Sequence, residues 1–222
     1  MKVNKNVVMF LLVLVFVNHN INCQTTEKLF SEIEIKGTIF YVLEQNNYLL
    51  VGYRDDEYNL KVDKIEIISD KLKYIETIND KRLFYKYEEI FETKQNLIYS
   101  KYEKEIVTDI KKRKCNILYD KNIFDGRPMI YYSMAKESPD SESLLLLYTC
   151  EDGRSFFASQ IVCINIKNRE IKISYLADKN SILFEYTKNI GWISNDIIYY
   201  DVSSGSKYDI IKLIRLNEIL EK

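Results

Sequence analysis

Residues 144–201 constrain the fold more than any other stretch. They read LLLLYTC, EDGR, SFFASQIVCINI, KNRE, IKISYL, ADKN, SILFEY and, after a looser passage, IIYYD. Runs rich in β-branched and aromatic residues alternate with short polar spacers. Consecutive antiparallel strands joined by tight turns require that punctuation. The rest of the chain continues it, with apolar runs at 33–43, 48–54, 60–68, 72–78, 83–91, 97–102, 106–110, 115–119, 129–134 and 208–216. In 60–68, Leu60 and Val62 alternate with Lys61 and Asp63, which predicts one wet face. Residues 85–91 (YKYEEIF) read equally well as helix.

Together these runs predict an all-β, mainly antiparallel fold with little helix: a meander of about 12–14 short strands at roughly 10–13-residue spacing, arranged as a sandwich, a barrel or a propeller-like array. No amphipathic helix of about 10–15 residues stands out between strands, which argues against a parallel α/β fold. Only 6 Gly and 2 Pro occur in 222 residues, so the turns must use Asn, Asp and Lys. Asn and Asp tolerate the left-handed backbone of tight hairpins. With 46% hydrophobic and 29% charged residues the chain is globular rather than disordered. Residues 136–143 (KESPDSES) form the longest polar loop and read as a mobile excursion or a boundary.

The N-terminus predicts export. Lys2 and Lys5 precede an apolar run of eleven residues, 7–17, then a polar segment ending at Cys23. Eleven residues are too few for a bilayer, which takes about twenty. Charge, apolar core and cleavage region in that order read as a signal peptide over residues 1–23, with a single β-rich domain over 24–222. Cleavage after Cys23 would leave Gln24 first, and the ending INCQ resembles signal-peptide ends of Bacteroidetes-type bacteria. The alternative is lipidation of Cys23, although Asn20-Ile21-Asn22 is a poor lipobox. The expected location is therefore the periplasm or exterior, with contact to a membrane only if Cys23 carries lipid. No Asn-x-Ser/Thr sequon occurs, which disfavours a glycosylated secreted protein.

Removal of that segment takes His19, the only histidine, and leaves 30 Lys and Arg against 33 Asp and Glu. A weakly acidic balance gives no reason to expect nucleic acid as a partner. Without imidazole, Ser-His-Asp and Cys-His catalysis and histidine-containing zinc sites are excluded. No Gly-rich phosphate loop of either common type is present, and no cofactor or metal is expected. Residues 120–126 (DKNIFDG) fall short of a calcium loop, because Phe124 stands where a ligand should precede the glycine. Carboxylate chemistry remains, with Asp55-Asp56-Glu57, Glu88-Glu89 and Glu151-Asp152 the densest groups, although all read first as solvated turn residues. The basic run Lys111 to Lys114 reads as a solubilising turn rather than a lipid or glycan contact.

Cys115, Cys150 and Cys163 are candidate disulfide partners in an oxidising compartment, and an odd count leaves one thiol over. With the turn at 151–154, Cys150 should face about Ser155, so Cys163 is not its cross-strand neighbour. Trp192, Tyr131 and Tyr199 are candidates for stacking on a sugar. In Tyr131-Tyr132 and Tyr199-Tyr200 alternation should send one ring inward and one outward, and the lone Trp is better placed in a core.

Near the C-terminus, Trp192-Ile193-Ser194, then residues 197–201 (IIYYD), Gly205 and Tyr208-Asp209-Ile210 resemble one blade of the periplasmic TolB-type β-propellers. Gly191 stands where those blades carry Pro, and their Asp-Gly turn is missing. The likeness covers about thirty residues, and a full propeller needs about 40–45 per blade. It implies meander topology and a protein-interaction surface. The expectation that follows is a non-enzymatic, exported domain binding an envelope protein or glycan. The alternative is a carboxylate-dependent hydrolase of extracellular polysaccharide.

Overall fold

The computed structural model describes residues 31–112, 129–151, 157–176, 187–203 and 208–219. The predicted signal peptide, Cys23, Cys115, the loop 120–126 and Gly205 lie outside them.

The chain is mostly antiparallel β-sheet. Its strands are β1 (Ser31–Ile35), β2 (Thr38–Gln45), β3 (Tyr48–Arg54), β4 (Leu60–Ile68), β5 (Lys71–Ile78), β6 (Met129–Glu137), β7 (Ser143–Glu151), β8 (Phe157–Asn165), β9 (Ile171–Leu176), β10 (Ile190–Trp192), β11 (Ile197–Ser203) and β12 (Asp209–Arg215). A long helix, α1 (Lys81–Lys112), separates β5 from β6, and a short one, α2 (Leu216–Ile219), follows β12.

Three four-stranded sheets result. The first runs β2-β3-β4-β5 and the second β6-β7-β8-β9, each a plain meander. The third runs β1-β12-β11-β10, so the most N-terminal described strand completes the most C-terminal sheet. The hairpins use the turn chemistry the composition demands. Asn46 takes φ 53° between β2 and β3, and Ser69 and Asp70 take φ 47° and 62° between β4 and β5.

The apolar run 33–43 is not one strand but two. Gly37, at φ 153°, breaks it, and β1 and β2 enter different sheets. A Cβ at Gly37 would strike the backbone of Arg54, so only glycine fits. Asp209 clamps this break from outside, accepting the Ile39 N–H at 2.7 Å while its own N–H reaches Gly37 O at 3.2 Å.

The third sheet is the middle layer. One of its faces, with Tyr199, Ile211 and Leu213, packs on Ile39, Val42, Leu49, Val51 and Ile65 of the first sheet. The other, with Ile198, Tyr200 and Val202, packs on Met134, Leu145, Leu147 and Ile161 of the second. Every residue of β11 is therefore buried. The expectation that Tyr199 and Tyr200 divide between core and solvent fails for this reason: alternation puts them on opposite faces, and both faces are dry.

The helix covers the outer faces of the other two sheets. Phe84, Tyr87 and Phe91 lie on Tyr41, Leu43, Leu50 and Val62 of the first sheet. Ile98, Tyr99, Tyr102, Ile106 and Ile110 lie on Leu144, Leu146, Tyr148 and Val162 of the second. Tyrosines tie down both ends, with Tyr41 Oη donating to Phe84 O at 2.9 Å and Tyr148 Oη to Asp109 Oδ2 at 2.9 Å. Asp80 caps the start, accepting the Arg82 N–H at 2.8 Å. Lys111 and Lys112 occupy the last turn, where cations suit the helix dipole. The backbone departs from helical geometry at Tyr102 (φ −117°, ψ 19°), on the second-sheet half.

Strands expected at 83–91, 97–102 and 106–110 are therefore one helix. Its inward positions, 84, 87, 91, 95, 98, 102, 106 and 109, step by three and four. That period is helical. Lys and Glu between the apolar residues break it into short runs that mimic strands. The loop expected over 136–143 is also shorter and better held. β6 continues to Glu137, and Ser138 Oγ bonds Asp140 Oδ1 and the Ser143 N–H at 2.6 and 2.9 Å.

Candidate functional site

The edge strands β2, β6 and β10 and the middle of α1 converge on one point. Each sheet contributes one functional side chain there: Glu44 from β2, Lys136 from β6, and Tyr199 from β11 beside β10. Two of these strands carry an extra residue just upstream, Phe40 in β2 and Ser133 in β6. Such bulges twist a strand and re-aim the side chains beyond them.

Lys136 Nζ lies 2.8 Å from both carboxylate oxygens of Glu44. Tyr199 Oη donates to Glu44 Oε1 at 2.5 Å. Val42 O lies 3.3 Å from the same hydroxyl, but its single proton goes to the charged acceptor. The Lys136 side chain is 7% exposed and that of Glu44 26%. Phe91 of α1 presents its ring 5.4 Å from the ammonium. Trp192 Nε1 donates to Lys136 O at 3.1 Å, and Lys94 Nζ to Glu44 O at 3.4 Å. Burial first, and the Glu44 charge second, push the Tyr199 phenol well above its ordinary value, so it stays a donor.

Gly191 makes this geometry possible. A Cβ there would overlap both the Glu44 carboxylate and the Tyr199 ring. Position 191 must therefore be glycine.

Over this cluster opens a cavity of about 340 Å³, lined by Glu44, Lys94, Leu97, Ile98, Lys136, Glu137, Pro139 and Trp192. It holds two carboxylates, and each is engaged. Lys136 holds Glu44, and Lys101 Nζ lies 2.7 and 2.8 Å from the Glu137 oxygens. Burial raises the Glu137 carboxyl, but hydrogen bonds from Lys101, Ser141 and Tyr102 outweigh it and hold it below its usual range. One helical turn before Ile98, both amide atoms of Gln95 are buried without a protein partner among the described residues. Such a group demands a hydrogen-bonding neighbour from elsewhere, ordered water included.

The residues singled out from the sequence fare differently. Trp192 reaches the site, but as a core residue only 8% exposed. Tyr199 also reaches it, as a fully buried hydrogen-bond donor with no ring face for a sugar. Tyr131 is 46% exposed on β6. Cys163 is a free, buried thiol, raised to about 11 by burial first. Cys150 pairs with Ala158 rather than with a residue near Ser155, because β7 runs to Glu151 and β8 begins at Phe157. Cys163 pairs with Leu145, five positions along β7 from Cys150, so the two are not neighbours. Asp55 accepts the Glu57 and Asn59 N–H groups and pairs with Lys61 at 2.6 Å, and Glu88 and Glu89 lie on α1. Sequence reasoning missed Glu44 and Lys136, which are 92 residues apart and carry no local signal.

Among the described residues no helix is long and apolar enough to cross a membrane, and no three potential metal ligands cluster. Comparison of the chain with protein-family models, with curated proteins and with solved structures returns no match.

Proposed function

We propose that this is a non-enzymatic, exported binding protein of the cell envelope or exterior, whose partner is a protein or a glycan. One observation carries the reading: both carboxylates that line the central cavity are already held by lysines. A glycosidase needs one carboxyl protonated near neutral pH to serve as acid. Glu137 is displaced in the opposite direction, and Glu44 is engaged by Lys136 and Tyr199. The three interlocked sheets and tethered helix instead supply a stiff frame, which suits recognition. The first strand completes the last sheet, which ties the two ends of the described chain together and adds to that stiffness.

The test is incubation of the purified chain with envelope and extracellular polysaccharides, reading new reducing ends, alongside cross-linking in intact cells. Recovery of one specific partner without reducing-end release supports the reading. Release that disappears in Glu137→Gln would replace it with the hydrolase.

A further inference from the structure

A second feature lies away from the central cavity, where β2, β3, the loop between β3 and β4, and the start of α1 meet. Four aromatic rings and two cations form one continuous strip. The Arg54 guanidinium carbon lies 5.3 Å from the Tyr58 ring centre and 5.7 Å from that of Phe40. Phe40 meets Phe84 edge-on at 6.0 Å, and Phe84 meets Tyr85 edge-on at 5.6 Å. Lys81 Nζ lies 5.8 Å from the Tyr85 ring centre. Phe84 is buried and anchors the strip, whereas Phe40, Tyr85 and Tyr58 are 43%, 50% and 77% exposed.

Three points set this strip apart from scattered surface hydrophobics. Phe40 is the extra residue of the β2 bulge, so it faces outward while Ile39 and Tyr41 on either side are buried. Tyr58 takes φ 66°, a region a bulky side chain adopts only at a cost. The loop holds it there, with Asp55 accepting the Glu57 and Asn59 N–H groups through its carboxylate and the Tyr58 N–H through its carbonyl. Finally, Arg54 and Lys81 have no carboxylate partner among the described residues, although Asp55, Asp56 and Glu57 are close in sequence. Asp55 is taken by Lys61, and Glu57 accepts from Asn59.

We propose that this strip is a binding surface for a carboxylated glycan, a uronic-acid-containing oligosaccharide. The proposal rests on the binding reading above and gives it a ligand class. Exposed ring faces receive the flat C–H faces of sugar rings. A planar guanidinium between two of the rings pairs a carboxylate through two parallel N–H donors. Lys81 at the other end supplies a second cation. Asp56 and Glu57 beside the strip oppose a continuous anionic lipid surface more than discrete sugar carboxylates. None of the strip residues except Phe84 packs in a core, so the surface needs no rearrangement to be used.

The test is calorimetric titration of the full exported chain with tetragalacturonate, with maltotetraose as the neutral control and phosphatidylcholine–phosphatidylglycerol vesicles as the lipid control. The expected result is binding of the uronate and not of maltotetraose, weakened by salt. Arg54→Gln and Tyr58→Gly should each reduce affinity roughly tenfold. Tyr58→Gly is the sharper variant, since glycine accepts the positive φ, so it should melt at the same or a higher temperature while binding less. Unchanged affinity in both variants would overturn the strip while leaving a uronate-binding protein. Equal binding of maltotetraose, vesicle binding without uronate binding, or no uronate binding would overturn the ligand class while leaving the binding reading. Reducing-end release from tetragalacturonate would overturn the non-enzymatic reading instead.

Discussion

Gly191 is the residue on which the centre of the molecule depends. A methyl group there meets the Glu44 carboxylate and the fully buried Tyr199 ring. Gly191→Ala should lower unfolding free energy by about 1–3 kcal/mol, measured by urea denaturation, the usual cost of overpacking. Asp201 sets a different property. Its carboxylate accepts the Lys188 and Asn189 N–H groups and the Asn189 amide at 2.7–2.9 Å, yet it is fully buried. Burial outweighs those bonds and, with some help from the Asp209 charge, raises it from 3.8 to about 6. Between those values the folded chain keeps a proton that the unfolded chain has released. Asp201 therefore favours folding at pH 4, and that contribution is lost as pH rises through 6, by about 3 kcal/mol in total. The Asn189 Oδ1, which has no partner among the described residues, accepts the extra proton's hydrogen bond if its amide turns over. Asp201→Asn should flatten the dependence of the denaturation midpoint between pH 4 and pH 7. An unchanged slope would place that titration elsewhere.

At the scale of elements, α1 is where pattern and structure part. Its propensity is unexceptional, and its inward residues are separated by Lys and Glu that also punctuate strands elsewhere in this chain. What selects helix is that one element must cover two sheet faces at once, Phe84 to Phe91 on the first sheet and Ile98 to Ile110 on the second. Most helical stability in proteins comes from such packing. Measured by urea denaturation, Ile106→Ala, at a fully buried position, should cost about 2–5 kcal/mol, whereas Leu97→Ala, at 66% exposure, should change stability by less than about 0.5 kcal/mol. The reverse order would mean that the helix does not lie on the second sheet as described. The strands were easier to read. In β4 the expected wet face fails, because Val62 packs under α1 and Ile65 against the middle sheet, while Asp63 is buried and accepts from the Tyr53 and Thr77 hydroxyls. The two-residue Asn46-Asn47 and Ser69-Asp70 turns do take positive φ as their residues suggest.

At the scale of the whole molecule, closure depends on five residues. β1 pairs with β12 from Ser31↔Leu213 to Ile35↔Asp209 and is separated from its partner by most of the chain. Removing residues 1–36 should expose the β12 edge and uncover Ile211 and Leu213. We expect a lower melting temperature and concentration-dependent association in size-exclusion chromatography, the usual fate of an unpaired edge. A truncated chain that remains monomeric with an unchanged melt would show that closure by β1 is dispensable.

The sequence by itself determined the antiparallel, turn-punctuated character of this protein, because hydrophobic runs, period-two alternation and Asn- or Asp-bearing turns act over a few residues. The three-sheet order, the double burial of β11 and the helix over 81–112 were decided only by tertiary packing, since each depends on what lies across a face rather than along the chain. The same holds for the centre: Glu44, Lys136 and Tyr199 are ordinary residues in ordinary strands until three sheets bring them within hydrogen-bonding distance of one another.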